Sequence, residues 1–237
     1  MSRHFSFIVI CGGIILQATL VHAHQRMVIS GGPGIGKTTV LKELRKRGYQ
    51  TISETFTSLF EQAATQDALD VFFNGPKQLE MLFLTEQVRK ESLLAPQLPA
   101  FLDRSVVDIM AYGYYLHVPI SDEMLRLSDR KYDLVFFLEP LPEEYYRNSS
   151  VRRESREVAL DIHQMLKAAY MQRGYYPHQM IDVPFGTPQE RAQFIIDVML
   201  ERCFHIDVFD SFATQNASNK GIFLVNVLRF LSHMQVA

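Results

Sequence analysis

The chain has 237 residues, 24 Lys+Arg against 26 Asp+Glu, a net charge of −2 and 47% hydrophobic residues. That is ample apolar material for a globular core, and the near-neutral balance excludes the basic bias of a nucleic-acid reader. Two cysteines, Cys11 and Cys203, exclude a disulfide framework, and no Cys/His spacing has the form of a zinc site.

Residues 5–21 are uncharged and mostly apolar, follow Arg3, and run into Val21-His22-Ala23, a pattern that fits signal cleavage after Ala23. The run is short for a bilayer-crossing helix, which takes about 20 residues. Three readings stand side by side: a signal-like segment, a single-pass anchor with membrane contact through residues 5–21, and an extension without function ahead of a start at Met27.

From Gln25 onward, short apolar runs alternate with helical patterns. Met27–Ser30 reads as a strand, followed by a glycine-rich turn and a helix over about 36–47, stopped by Gly48. Tyr49–Ser53 is a second strand; helices are expected over 55–65 and 77–94, separated by the turn signal Asn74-Gly75-Pro76. Pro99–Leu102 is a third strand, Ser105–Leu116 a helix and Tyr132–Leu138 a fourth strand. A long helix over 153–173, a fifth strand at Gln179–Val183 and a closing helix over 188–202 complete the series. Strands alternating with helices of this length imply parallel pairing through right-handed crossovers, hence an α/β three-layer α/β/α sandwich with a mainly parallel five-stranded sheet. The chain then divides into a leader (1–26), a nucleotide-binding domain (27–203) and an extension (204–237), in which 207–220 is loop-like and 221–232 is apolar.

Gly31-Gly32-Pro33-Gly34-Ile35-Gly36-Lys37-Thr38 fits G-x-x-x-x-G-K-[ST] in full. Glycines let the backbone turn and approach phosphates, and consecutive N–H groups at a helix N-terminus form an anion nest. Lys37 can reach the β- and γ-phosphates, and the Thr38 hydroxyl can ligate Mg²⁺. The partner is then a nucleoside triphosphate, ATP or alternatively GTP. Such a site works where triphosphates are abundant, which places the folded domain in the cytoplasm; a real leader would instead anchor or export it.

Asp103 ends the third strand, at the rim where a parallel sheet binds its ligands, and can hold Mg²⁺ as a Walker-B acid does. Arg104 beside it can contact phosphate or pair with a neighbouring acid. Glu54, on the same rim, can take a proton from an acceptor hydroxyl. Residues 147–156 (RNSSVRRESR) carry Arg147, Arg152, Arg153 and Arg156; Arg152 and Arg153 are candidates for a lid that neutralises a transferring phosphoryl group, with Glu154 as orienter. Pro184–Pro188 stands where a loop meets a nucleotide base, or serves as a plain turn. The Tyr112/Tyr114/Tyr115 and Tyr145/Tyr146 clusters could line an acceptor pocket or simply pack.

These pieces, in this order, resemble the NadR-type AAA domain family, which includes the TRPL-translocation-defect proteins and is related in layout to nucleoside and nucleotide kinases. The resemblance runs from about Gln25 to Arg202 and rests on RMVISGGPGIGKTTVLKELRKRGY, TISET, FLDRSVVDIMAYGYYL, YDLVFFLEPLP, VRRESREVA and MIDVP…TPQERAQFI. It implies a phosphate loop extending from Gly31 to Thr39, Asp103-Arg104 as the D-R-[SG] pair of nucleoside-kinase-like enzymes, Glu54 as the carboxylate near the acceptor, and Arg152 and Glu154 in the lid. The helical lid domain and second-region arginine of ring-forming AAA machines have no counterpart in the sequence. The implied activity is γ-phosphate transfer to a nucleoside-like or ribosyl hydroxyl on a small molecule, with nicotinamide riboside as a candidate. The rival is an ATP- or GTP-binding switch or slow NTPase that meets a membrane or partner.

Overall fold

The computed structural model describes residues 3–11, 14–22, 25–55, 76–96, 98–143, 155–203 and 205–209. Its main body is a five-stranded parallel sheet of order β4-β5-β3-β6-β7. The strands are β3 (Arg26–Ser30), β4 (Gln50–Ile52), β5 (Ala100–Asp103), β6 (Leu134–Leu138) and β7 (Met180–Val183). Each lies within a residue or two of the strand read from the sequence. The helices are α1 (Lys37–Lys46), α2 (Pro76–Ser92), α3 (Val106–Tyr115), α4 (Asp122–Ser128), α5 (Arg156–Gln172) and α6 (Pro188–Cys203).

The apolar runs are two-sided because both faces of the sheet are covered. Along β3, Met27 and Ile29 face one layer with Val40, Leu41 and Leu44 of α1 and Ile195, Ile196 and Met199 of α6. Val28 faces the other, with Leu84 of α2, Val106 and Met110 of α3, and Ile162 and Leu166 of α5. The alternation repeats in β6, where Phe136 and Leu138 take the first side and Val135 and Phe137 the second. This is the expected three-layer sandwich.

Helix boundaries follow local chemistry. Gly48 takes φ 87°, so the turn after α1 closes with the Tyr49 N–H donating to the Leu44 carbonyl. Ser105 caps α3 by accepting from the Val107 amide, while Asp108 accepts from the Ser105 amide. Ser155 caps α5 through the Val158 amide. Helix α4, capped by Ser121, had no counterpart in the sequence reading; it is short and sits in a stretch without sustained periodicity.

At the N-terminus the apolar run forms two strands. β1 (Arg3–Cys11) and β2 (Ile14–His22) pair antiparallel with Cys11 opposite Ile14. β8 (His205–Phe209), whose last three residues fall in the stretch 207–220 read as loop-like, pairs antiparallel with Ile15–Thr19. Two β-branched runs around Gly12-Gly13 carry the sequence signature of a hairpin. Among the described residues, no helix is long and apolar enough to cross a membrane. Of the helix expected over 55–65 only Thr55 is described, and the apolar run 221–232 lies outside the described residues.

Helix α5 packs directly on the turn after β3: a Cβ added at Gly32 would stand 2.3 Å from the Ala159 carbonyl oxygen. Gly32→Ala must therefore push backbone from backbone, and a loss of about 1–3 kcal/mol is expected, read as a fall in unfolding midpoint; unchanged stability would refute the close approach.

Helix α2 buries two carboxylates in different ways. Glu91 is held by Arg26, Arg130 and Tyr132. Glu80, 5% exposed, packs against Gly113 with its Oε1 buried and unpartnered, and burial pushes its pKa up to about 7. Because the folded pKa lies above the usual 4.5, the folded chain holds a proton that the unfolded chain releases. The associated stability is complete below about pH 4.5 and is lost as pH rises through 7, in total about 3 kcal/mol. Glu80→Gln should match wild type in denaturant unfolding near pH 5 and exceed it near pH 8; parallel pH profiles would refute this.

Candidate nucleotide-binding site

The strand order places the carboxyl ends of β4, β5 and β3 side by side, so Glu54, Asp103 and the turn 31–38 share one rim. The turn departs from β3 into α1. Gly34 and Gly36 take φ 80° and 91°, a left-handed conformation that would strain any other residue. Ile35 drops its side chain into the core, and the amides of Thr39 and Val40 donate to the Gly36 carbonyl to start the helix. The turn is thus fastened below by an apolar side chain and continued by a helix N-terminus. Pro33 is half-buried, and the Thr39 side chain is exposed.

Lys37 folds back over this turn. Its buried Nζ donates to the carbonyls of Gly31 (3.0 Å) and Gly32 (2.7 Å). Burial, and next the positive charge of Arg104, lower its pKa to about 8 against the opposing pull of Asp103, Glu54 and Asp108. A polyphosphate in the turn would add the negative charge this ammonium lacks.

Thr38 and Asp103 meet across the rim: the Thr38 hydroxyl donates to Asp103 Oδ2 at 2.9 Å, while Oδ1 is buried with no hydrogen-bond partner. Burial raises the Asp103 pKa to about 6, with Lys37 and Arg104 pulling it down and Glu54 adding to the rise. A threonine oxygen beside a carboxylate oxygen that lacks a partner suits Mg²⁺, which takes one or two protein oxygens and completes its shell with phosphates and water. The donor set fits.

Arg104 turns away from the cradle. It adopts φ 68°, rare for a side-chain-bearing residue, and its Nε donates to Glu54 Oε1 at 2.7 Å. Nη2 donates to the Tyr112 hydroxyl at 3.1 Å, and the guanidinium lies 4.7 Å over that ring. Its Nη1 is buried without a hydrogen bond, 3.9 Å from an Asp108 oxygen. Of the two roles read for Arg104, the geometry has the pairing with an acid. Of the tyrosines, Tyr112 joins this cluster, whereas Tyr114 and Tyr115 are exposed.

Below these groups lies a buried hydrogen-bonded knot. Asp108 accepts from Ser30 at the end of β3, from the Ser105 amide and from the Tyr170 hydroxyl of α5. It ties β3, α3 and α5 together under the phosphate turn. The loop Pro184–Pro188 forms a reciprocal cap on α6, in which the Thr187 amide donates to Glu190 and the Glu190 amide to Thr187 Oγ1.

Arg147, Arg152, Arg153 and Glu154 lie outside the described residues, as do Tyr145 and Tyr146. Arg156, the last arginine of that segment, opens α5 with its Nε buried and unpartnered. His163, absent from the sequence reading, stands against the cradle: Nδ1 accepts from the Gly32 amide at 3.5 Å. Burial, then the charge of Lys167, lower its pKa to about 4, so the ring is neutral and can accept. Its signal in the sequence was position alone, on the apolar face that α5 shares with Ala159, Ile162 and Leu166.

The profile of the family described as "AAA domain" matches residues 26–191. Among solved structures, a NadR protein in complex with NR is similar at TM-score 0.55 and 18% identity, covering 84% of this chain and 54% of that one. A NadR protein in complex with NAD and AMP-PNP is similar at TM-score 0.53 and 18% identity, covering 83% and 52%. The chain spans about half the length of these NadR chains. No curated protein matches it in sequence. Matched over most of its length by that profile and sharing the NadR-type P-loop fold, the chain belongs to the AAA domain family.

Proposed function

We propose that the chain is an ATP-dependent small-molecule kinase that transfers the γ-phosphate to a hydroxyl of a nucleoside-like or ribosyl acceptor, with residues 27–203 as the working unit. The observation that carries this reading is the junction of Thr38 and Asp103 beside the buried Lys37, where one carboxylate oxygen has no protein partner. The NadR structures with NR and with AMP-PNP support it as analogy and make nicotinamide riboside a candidate acceptor.

In this mechanism the amides of Gly31–Gly36 and the Lys37 ammonium hold the β- and γ-phosphates. Thr38 and Asp103 would hold Mg²⁺, which supplies positive charge to the phosphate oxygens. The acceptor oxygen forms its bond to the γ-phosphorus as the bond to the bridging oxygen breaks, and ADP leaves with the electron pair. Glu54, oriented by Arg104, takes the acceptor proton. Arg152 and Arg153, with Arg156 at the start of α5, neutralise charge on the equatorial oxygens. GTP replaces ATP without a change in these roles.

The ion pair between Arg104 and Glu54 also favours a second reading, because it occupies one oxygen of the carboxylate. In that reading the chain is a nucleotide-binding switch or slow NTPase that meets a membrane or partner.

Lys37→Ala should abolish the Mg²⁺-dependent rise in melting temperature with ATP; an unchanged rise would refute the phosphate site. Labelled γ-phosphate offered with nucleosides, nicotinamide riboside and nucleoside monophosphates should mark at least one acceptor. Glu54→Gln should then slow transfer by about 100-fold while slow hydrolysis persists. If no acceptor is labelled and Glu54→Gln leaves hydrolysis untouched, the switch reading replaces the kinase.

A further inference from the structure

Arg191 lies in the first turns of α6, 3% exposed, and directs its guanidinium to backbone carbonyls of three loops. Nη1 donates to Ile35 at 2.9 Å, Nη2 to Glu139 at 2.9 Å and Nε to Pro184 at 3.1 Å. These carbonyls follow β3, β6 and β7, and the first belongs to the phosphate turn itself. The Glu139 and Pro184 loops are joined further by the Phe185 amide, which donates to the Glu139 carboxylate at 3.2 Å.

A trans peptide sets its C=O and the next N–H in opposite directions. Holding the Ile35 carbonyl on the α6 side therefore turns the Gly36 amide the other way, away from α6. Were that peptide to flip, a carbonyl oxygen would face the anion and one donor would be lost. We propose that Arg191 is a positioning residue for polyphosphate binding: it keeps the Ile35–Gly36 peptide in its anion-binding orientation and ties that peptide to the two neighbouring loops. Arg191 does not itself touch the nucleotide. Lysine cannot replace it, because a point ammonium does not reproduce a planar fork bonded to carbonyls in three directions. The inference rests on the nucleotide-site reading above.

The test uses the full chain, as wild type, Arg191→Lys, Arg191→Gln and Lys37→Ala. Each is titrated with Mg²⁺-tripolyphosphate and with Mg²⁺-ATP, alongside its unfolding midpoint without ligand. The expected result is a folded Arg191→Lys chain whose Kd is weakened by about tenfold or more, by the same factor for both ligands. In wild type, the Gly36 amide resonance should move on saturation with tripolyphosphate. A folded variant with wild-type Kd, a loss confined to ATP, or an unmoved Gly36 resonance overturns the proposal. If neither variant folds, the Gly36 resonance decides. Wild-type chain that takes up neither ligand overturns the nucleotide reading and this inference with it; intact wild-type binding with an unimpaired variant overturns this inference alone.

Discussion

A buried ammonium is the constraint around which the site is arranged. Lys37 holds its charge inside the turn on two carbonyl oxygens, with Asp103 reaching Thr38 rather than Lys37 by hydrogen bond. Burying a cation on neutral oxygens is unfavourable in a chain without ligand, and the lowered pKa expresses that cost. A polyphosphate in the turn would relieve it, by restoring negative charge beside Lys37. The unbalanced charge of Lys37 is thus the feature of the turn that a multiply charged anion would complement.

The parallel sheet explains why opposing charges collect at one rim. Every strand of β3, β4 and β5 ends there, and each ends on chemistry: the phosphate turn, Glu54 and Asp103. Parallel register puts Ile29 beside Asp103, so the acid is brought to the root of the turn by backbone pairing alone. Arg104 then enters the left-handed region at the next residue, which swings its guanidinium toward Glu54 and Tyr112 rather than into the phosphate cradle. Two neighbouring residues, one strained backbone angle apart, serve two different parts of the site. Asp103 reaches Thr38 at the turn, and Arg104 reaches the Glu54 carboxylate on the other side.

The sheet was legible because its central strands β5, β3 and β6 are buried on both faces and read as short apolar runs, and because the glycine-rich turn has a strict spacing. Glu54, Asp103 and the turn could be placed on one rim from strand ends alone. The partner of Arg104 could not be chosen from sequence, since both a phosphate and a carboxylate suit a guanidinium and the choice depends on φ at that residue. His163 and Arg191 were illegible for a different reason. Each acts on a backbone group, the Gly32 amide or the Ile35 carbonyl, and a main-chain partner leaves no residue type for a sequence pattern to detect. The pairing of the N-terminal strands was not read because apolar length alone does not separate a helix from a hairpin, although the glycine pair between the two runs is a hairpin signal.

Helix α5 joins these elements into one mechanical unit. Its Ala159 carbonyl and His163 ring meet Gly32, and its Tyr170 hydroxyl reaches the Asp108 carboxylate that also holds Ser30 and Ser105. The helix begins at Arg156, immediately after the arginine-rich segment. A displacement at its N-terminus cannot remain local, because Gly32 has no room for movement of the Ala159 carbonyl towards it and the Asp108 knot fixes the far end. Gly32 occupies a position of the motif where any residue satisfies the spacing rule, so phosphate binding alone does not require glycine there. What requires it is the close passage of α5. The turn is consequently shaped from two sides, by α6 through the Ile35 carbonyl and by α5 through Gly32, so a displacement of either helix reaches it directly.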